Sequence, residues 1–265
     1  MIPRPVTRRE ALRLSGAALF LAPWAAAAEG SFFEFIAVND THYIDDKCQP
    51  YQAGVVKAMR ADAPKAAFVC HAGDVADNGT AAALSAMSEL YREGELSLHP
   101  VPGNHDFISD TDRSGYDGAF PAKLNYTFVH EGWQFIALDT TQGTDYANTK
   151  VSAETLAWLD QQITKLDLKM PTFAFTHFPL GNGVEMRPLN ADVVIERLLK
   201  LNLKWVHSGH WHGESKNTAD TATLTTSRCC ARVRTNRDGS PLKGWHVYRA
   251  SADGGLSRRF VSLTI

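Results

Sequence analysis

The chain has 265 residues, 44% hydrophobic and 21% charged, proportions that exclude wholesale disorder and leave room for one large domain or two small ones. Lys and Arg total 27 against 29 Asp and Glu, but four arginines and one glutamate fall in residues 1–28, so the remainder carries 23 basic and 28 acidic side chains, a formal −5. A mildly acidic body is a poor trap for nucleic acid, and four cysteines without finger spacing exclude a disulfide scaffold or a zinc finger.

Thr7-Arg8-Arg9-Glu10-Ala11-Leu12-Arg13 precedes an apolar run from Leu14 to Ala28 that closes on three alanines. The segment resembles a twin-arginine signal of the type that sends folded proteins out of the bacterial cytoplasm, with cleavage expected after Ala28. About 15 apolar residues fall short of the ~20 that span a bilayer, so no stable membrane anchor is expected after cleavage. Residues 29–265 are then expected to form a single domain, periplasmic or secreted.

From Phe32 the run Phe-Phe-Glu-Phe-Ile-Ala-Val predicts a buried strand ending at Asn39-Asp40. Tyr51 to Arg60 has helical spacing, Lys65 to Cys70 reads as a strand, Thr80 to Tyr91 as a helix, and Leu96 to Val101 as a third strand. His105 to Lys123 is a long irregular stretch rich in Gly, Asp and Ser, and loops that long tend to be lids or disordered. Asn125 to His130 and Trp133 to Leu138 flank Glu131-Gly132 as a hairpin. Ser152 caps a helix carrying Leu156, Leu159, Ile163 and Leu166 on one face. Strand Thr172 to Thr176, helix Ala191 to Leu201 and strand Lys204 to His207 continue the alternation, and after Gly213 the pattern is strands only. Alternating strands and helices argue for a layered α/β fold.

Acidic, amide and imidazole residues gather at the strand ends, where an α/β sheet places its binding crevice. They are Asp40-Thr41-His42, Gly73-Asp74-Val75-Ala76-Asp77, Gly103-Asn104-His105-Asp106, His177, and Gly209-His210-Trp211-His212. Hard oxygens and imidazoles in one crevice can hold two divalent metals, with a carboxylate between them.

These five motifs, in this order, resemble the calcineurin-like metallophosphoesterase superfamily, from Glu34 to about Gly213. Asn125-Tyr126-Thr127-Phe128, Trp133 to Asp139 and Leu156-Ala157-Trp158-Leu159 before Thr176-His177-Phe178-Pro179 are similar to its cyclic-nucleotide and glycerophosphodiester phosphodiesterase-like branch. The resemblance implies a two-sheet sandwich flanked by helices, in four α/β/β/α layers. It implies that Asp40, His42 and His212 ligate one metal, that Asn104, His177 and His210 ligate the other, and that Asp74 bridges. The metals would be Mn, Fe or Zn, and a hydroxide bridging them would attack phosphorus. His105 resembles the imidazole near the leaving oxygen, and Asp77 the carboxylate that orients it. Purple acid phosphatases have a Tyr ligand where this chain has Asp77, which speaks against a tyrosinate–iron site.

The reading that follows is a hydrolase of a small phosphodiester. A phosphomonoesterase using the same site is the alternative, and a non-catalytic binding protein on this fold a third. A small phosphate-ester substrate is the expected partner, and nucleic acid is not. His71, His99, His130, His207 and His246 lie outside the motifs and are expected to pack or face solvent. Cys229 and Cys230 are adjacent, so separate thiols, or one bridge to Cys48, are expected.

Overall fold

The computed structural model describes residues 32–263; the expected leader, 1–28, lies outside them. Two mixed sheets stack face to face. The first holds β1 (Phe32–Val38), β2 (Ala66–Ala72), β3 (Leu98–Val101), β10 (Gly244–Ser251) and β11 (Leu256–Ser262), in the order β11-β10-β1-β2-β3. The second holds β4 (Tyr126–His130), β5 (Trp133–Leu138), β6 (Thr172–Thr176), β7 (Leu203–Ser208), β8 (Ser215–Ala219) and β9 (Ala222–Thr226), in the order β4-β5-β6-β7-β9-β8. Helices α1 (Gln49–Asp62), α2 (Ala81–Glu93) and α3 (Ser114–Ala119) cover the first sheet, and α4 (Ala153–Ile163) and α5 (Ala191–Leu198) the second.

The central strands are apolar on both faces because each is buried twice. In β1, Phe35 and Ala37 point between the sheets while Ile36 and Val38 meet the helices. In β5, Phe135 and Ala137 face inward and Ile136 and Leu138 outward. A register shift where β2 pairs with β1 lets Ala67 and Phe68, adjacent in sequence, both face the inter-sheet core. That core is aromatic: Phe35 lies 5.2 Å from Phe135, 4.9 Å from Phe173 and 5.1 Å from Tyr248, ring centre to ring centre.

Local chemistry explains the element ends. The β4–β5 hairpin turns on Glu131 and Gly132, both at positive φ, as a two-residue loop matched to strand twist requires. Ser152 accepts from the Thr155 N–H at 3.1 Å and caps α4. The stretch 105–123 is less irregular than its composition suggests: it contains the short helix α3, which buries Tyr116 and packs against α2. α5 ends at Leu198, three residues short of the Leu201 expected. All four cysteines are free and buried, so the bridge to Cys48 is not formed. No helix among the described residues is long and apolar enough to cross a membrane.

Candidate metal centre

Both sheets deliver side chains to one place. β1, β2 and β3 run parallel in the first sheet, and β6 and β7 in the second. Their C-terminal ends carry Asp40 and His42, Asp74 and Asp77, Asn104 and His105, His177, and His210 and His212 respectively.

The turns that aim these groups are tight. Asp40, His42, Asp74, His210 and His212 all have φ between 44° and 65°, left-handed backbone that L-residues avoid. Such positions cost roughly 1–3 kcal/mol each and persist only where surroundings dictate them. Here Asp40 N–H donates to Gly73 O at 3.0 Å, His42 N–H to Asp74 O at 3.0 Å and Asp77 N–H to Tyr43 O at 3.0 Å, lacing the first two turns together. Asp106 joins the third: its carboxylate accepts from the N–H groups of Val75, Ala76 and Gly103 at 2.8–3.1 Å. Burial and the Asp74 charge push the Asp106 carboxyl up to about 7 while those donors pull it down. Gly103 packs so closely that a Cβ would overlap the backbone N and Oδ1 of Asp74, and Gly209 abuts Asp40 Oδ2.

The side chains converge as two clusters sharing one carboxylate. In the first, His42 Nε2 lies 3.2 Å from His212 Nε2 and 3.4 Å from Asp74 Oδ2, and His212 Nε2 lies 3.1 Å from Asp40 Oδ1. In the second, His177 Nε2 lies 3.0 Å from His210 Nδ1, 3.2 Å from Asn104 Oδ1 and 3.4 Å from Asp74 Oδ1. The two oxygens of Asp74 therefore serve different clusters. Except for part of His212, these groups are buried.

The outer nitrogen of each imidazole meets an acceptor, which fixes what the inner one offers. His42 Nδ1 faces Asp77 Oδ1 at 2.8 Å, His177 Nδ1 faces Ala72 O at 3.0 Å, His210 Nε2 faces Tyr146 O at 2.8 Å and His212 Nδ1 faces Thr235 O at 3.3 Å. In the neutral ring the outer nitrogen carries the proton and the inner one a lone pair. Four lone pairs, an amide oxygen and two carboxylates then point at one another, and a divalent cation in each cluster satisfies them. The donor set fits two cations.

Electrostatics agree with that reading for two of the four rings. Burial pushes His210 down to about 3 and also lowers His42, so both rings are neutral and free to ligate. Burial works against charge on His212 too, but the Asp40 carboxylate outweighs it and pushes His212 up to about 11. Asp40 is correspondingly held below the usual carboxylate range.

All seven residues expected as ligands lie in this constellation. His105 sits beside it, its ring centre 4.9 Å from that of His42, with Nδ1 donating to the Asp77 carbonyl at 3.1 Å. Asp77 meets His105 mainly through its main chain. Its carboxylate lies 3.7 Å from His105 Nδ1 but 2.8 Å from His42 Nδ1, and it also receives Nε and Nη2 of Arg234. The turn after β2 places the Asp77 side chain under His42 and leaves its main-chain oxygen for His105.

A cleft of about 470 Å³ opens over the constellation, walled also by Tyr146, Met186 and residues 234–237. The motif spacing gave no sign of this wall; the run of arginines from Arg228 to Arg237 was the available signal. Trp211, between two expected ligands, does not line the cleft, and its ring lies against Gly213. Of the histidines outside the motifs, His71, His207 and His246 are buried, and His99 stacks on Phe128 with ring centres 4.1 Å apart.

Known proteins place this architecture. A protein of Fibrobacter succinogenes named "Probable cyclic nucleotide phosphodiesterase" is 29% identical over 150 residues, 54% of this chain and 56% of that protein. The chain thus spans little more than half the length of that relative. The 3′,5′-cyclic adenosine monophosphate phosphodiesterase CpdA of Escherichia coli is 26% identical over 242 residues, 84% of this chain and 86% of that one. Among solved structures, the purple acid phosphatase PPD1 of yellow lupin superposes with a TM-score of 0.62 at 12% identity, covering 88% of this chain and 52% of that one, a likeness of fold alone. The calcineurin-like phosphoesterase family model matches residues 33–214, the span that carries all five motifs, and the chain belongs to that family.

Proposed function

We propose that the protein is a metal-dependent phosphoesterase that hydrolyses a small phosphodiester. One observation carries this reading: two buried ligand clusters whose inner nitrogens and oxygens face each other across a shared Asp74. Asp40, His42, His212 and Asp74 Oδ2 would hold one cation; Asn104, His177, His210 and Asp74 Oδ1 the other. Two cations there would offset charge on the phosphoryl oxygens and make water nucleophilic at neutral pH. Mn, Fe and Zn all suit the mixed nitrogen and oxygen donors.

The chain's own residues supply the rest. The Nδ1–H bond of His105 to the Asp77 carbonyl turns its Nε2 away from that loop, where it can hold a proton for the departing oxygen. His105 is the catalytic acid in this reading. Asp77 is a positioning residue that sets the His42 ring and is itself held by Arg234. The phosphodiesterase names of the relatives favour a diester over a monoester. The twin-arginine pattern supports export to the periplasm after the protein has folded around its metals.

The test is hydrolysis of bis-p-nitrophenyl phosphate and p-nitrophenyl phosphate by protein stripped with chelator and reloaded with Mn²⁺. Activity that returns with metal and is lost in Asn104→Ala is expected, with the diester preferred. Preference for the monoester would convert the reading to a phosphatase. Inactivity on both, with two metals bound, would leave a binding protein on this fold.

A further inference from the structure

The loop from 227 to 243, between β9 and β10, contains Arg228, Arg232, Arg234, Arg237 and Lys243 against one acid, Asp238, in a body whose overall charge is negative. Two of these cations anchor the loop: Arg228 pairs with Asp238 at 2.9 Å, and Lys243 donates to Cys229 Sγ at 2.9 Å and to the Arg234 carbonyl. Buried Asn236 adds three hydrogen bonds, accepting from Cys229 N–H and donating to the carbonyls of Ser240 and Leu242 at 2.7–3.0 Å. Arg237 N–H donates to His212 O at 2.9 Å, pinning the loop to the second ligand turn. The loop is therefore built and held, not loosely draped.

It lines the cleft with residues 234–237, of which Arg234 and Arg237 bring charge. Arg234 gives Nε and Nη2 to Asp77, and its Nη1 makes no hydrogen bond among the described residues. The exposed Arg237 guanidinium has no partner among the described residues. Both lie at the His42–His212 end. At the other end Tyr146, whose carbonyl receives His210, offers the cleft a side chain that is 65% exposed. The cleft is thus cationic at one end and aromatic at the other.

Resting on the phosphodiesterase reading, we infer that the substrate carries a second phosphate beyond the scissile one, bound by Arg237 and the free edge of Arg234, with a planar group toward Tyr146. A phosphate has oxygens enough for two guanidinium forks, whereas a carboxylate fills one. The binding requirement is nucleotide-like: a ring, a scissile diester and one more phosphate.

The experiment compares thymidine 5′-(p-nitrophenyl phosphate) with its 3′-phosphorylated analogue, by p-nitrophenol release from the Mn²⁺-loaded protein, and measures Kd for thymidine 3′,5′-bisphosphate against thymidine 5′-monophosphate. The phosphorylated compounds are expected to be favoured about tenfold or more in kcat/KM and in Kd. Arg237→Ala should bring both ratios close to one, and Arg237→Lys should recover part of each. Ratios near one in the wild type, or ratios that survive Arg237→Ala, overturn the inference while hydrolysis of the unphosphorylated ester leaves the diesterase reading standing. A preference that grows steadily along a series of oligothymidylates would assign the loop to polynucleotides and overturn it too. If neither ester is cleaved, the Kd ratio alone decides the inference, and hydrolysis of bis-p-nitrophenyl phosphate decides the diesterase reading.

Discussion

The carboxylate of Asp77 lies 2.8 Å from Nδ1 of His42, so the residue three places beyond the shared Asp74 braces a ligand of the first cluster. Burial opposes its charge, but the His42 and Arg234 hydrogen bonds prevail and hold its carboxyl at about 2. Asp77→Asn keeps the size and loses the charge. Outer partners of this kind are worth roughly 10–100-fold in metal affinity or activity. The expected outcome is that loss in a metal titration at the first cluster, with Asn104, His177 and His210 still able to hold the second cation. Unaltered affinity would show that the contact does not tune His42.

His105 acts on the leaving oxygen in the proposed chemistry, so its importance should depend on that oxygen. p-Nitrophenolate departs without help, whereas an alkoxide needs a proton. His105→Ala is expected to lower kcat roughly 10²–10⁴-fold on an alkyl phosphodiester and far less on the nitrophenyl ester. Metal content measured by elemental analysis should stay at the wild-type level. Equal losses on both substrates would assign His105 to binding.

Asp40 and His212 form an ion pair in the metal-free protein. The folded value for His212, about 11, exceeds the 6.5 of a free imidazole. His212's contribution to the stability of the metal-free protein is therefore complete below about pH 6.5 and lost as pH rises through about 11, while Asp40, held low, withdraws its own only as pH falls through the acid range. A cation that takes His212 must expel that proton. Apparent affinity should rise about tenfold per pH unit near neutrality, with about one proton released per ion at this cluster. Chelator competition at several pH values, and calorimetry in buffers of different ionisation enthalpy, measure the two quantities. Affinity independent of pH would contradict the protonated state.

Gly103 leaves no room for a methyl group beside Asp74. Gly103→Ala should move Asp74, destabilise the chelated protein by about 1–3 kcal/mol and weaken metal binding at both clusters. Thermal melts with and without Mn²⁺ separate these effects, since the metal-dependent rise in Tm should shrink as well as Tm itself.

Much of the fold was legible because the central strands are buried on both faces and read as largely apolar runs, Phe35 to Val38 and Trp133 to Leu138 among them. The ligand turns were legible for a related reason. Gly73, Gly103 and Gly209 punctuate the chain where a strand stops and a donor follows. Helix α3 was hidden because Gly115 and Gly118 lower its intrinsic propensity, and what holds it is tertiary: Tyr116 is buried, and its hydroxyl donates to Lys123 O at 2.9 Å. Spacing brought Asp77 to the site but not to its imidazole, since side chain and carbonyl of one residue serve different rings. The arginine wall was averaged away when charge was summed over the whole body, because a local concentration of cations disappears in a net −5.

The first sheet contributes Asp40, His42, Asp74 and Asn104, and the second His177, His210 and His212. Ions held among them would be rivets through two plates, anchored in both. The aromatic filling between the plates resists their sliding by contact alone, whereas rivets resist their parting. Stripping the ions should leave each sheet's internal ladder intact and loosen the seam, so amide exchange would quicken first at the C-terminal ends of β2, β3, β6 and β7 and only later along their lengths. Ions so placed would fasten the architecture as well as serve the proposed chemistry.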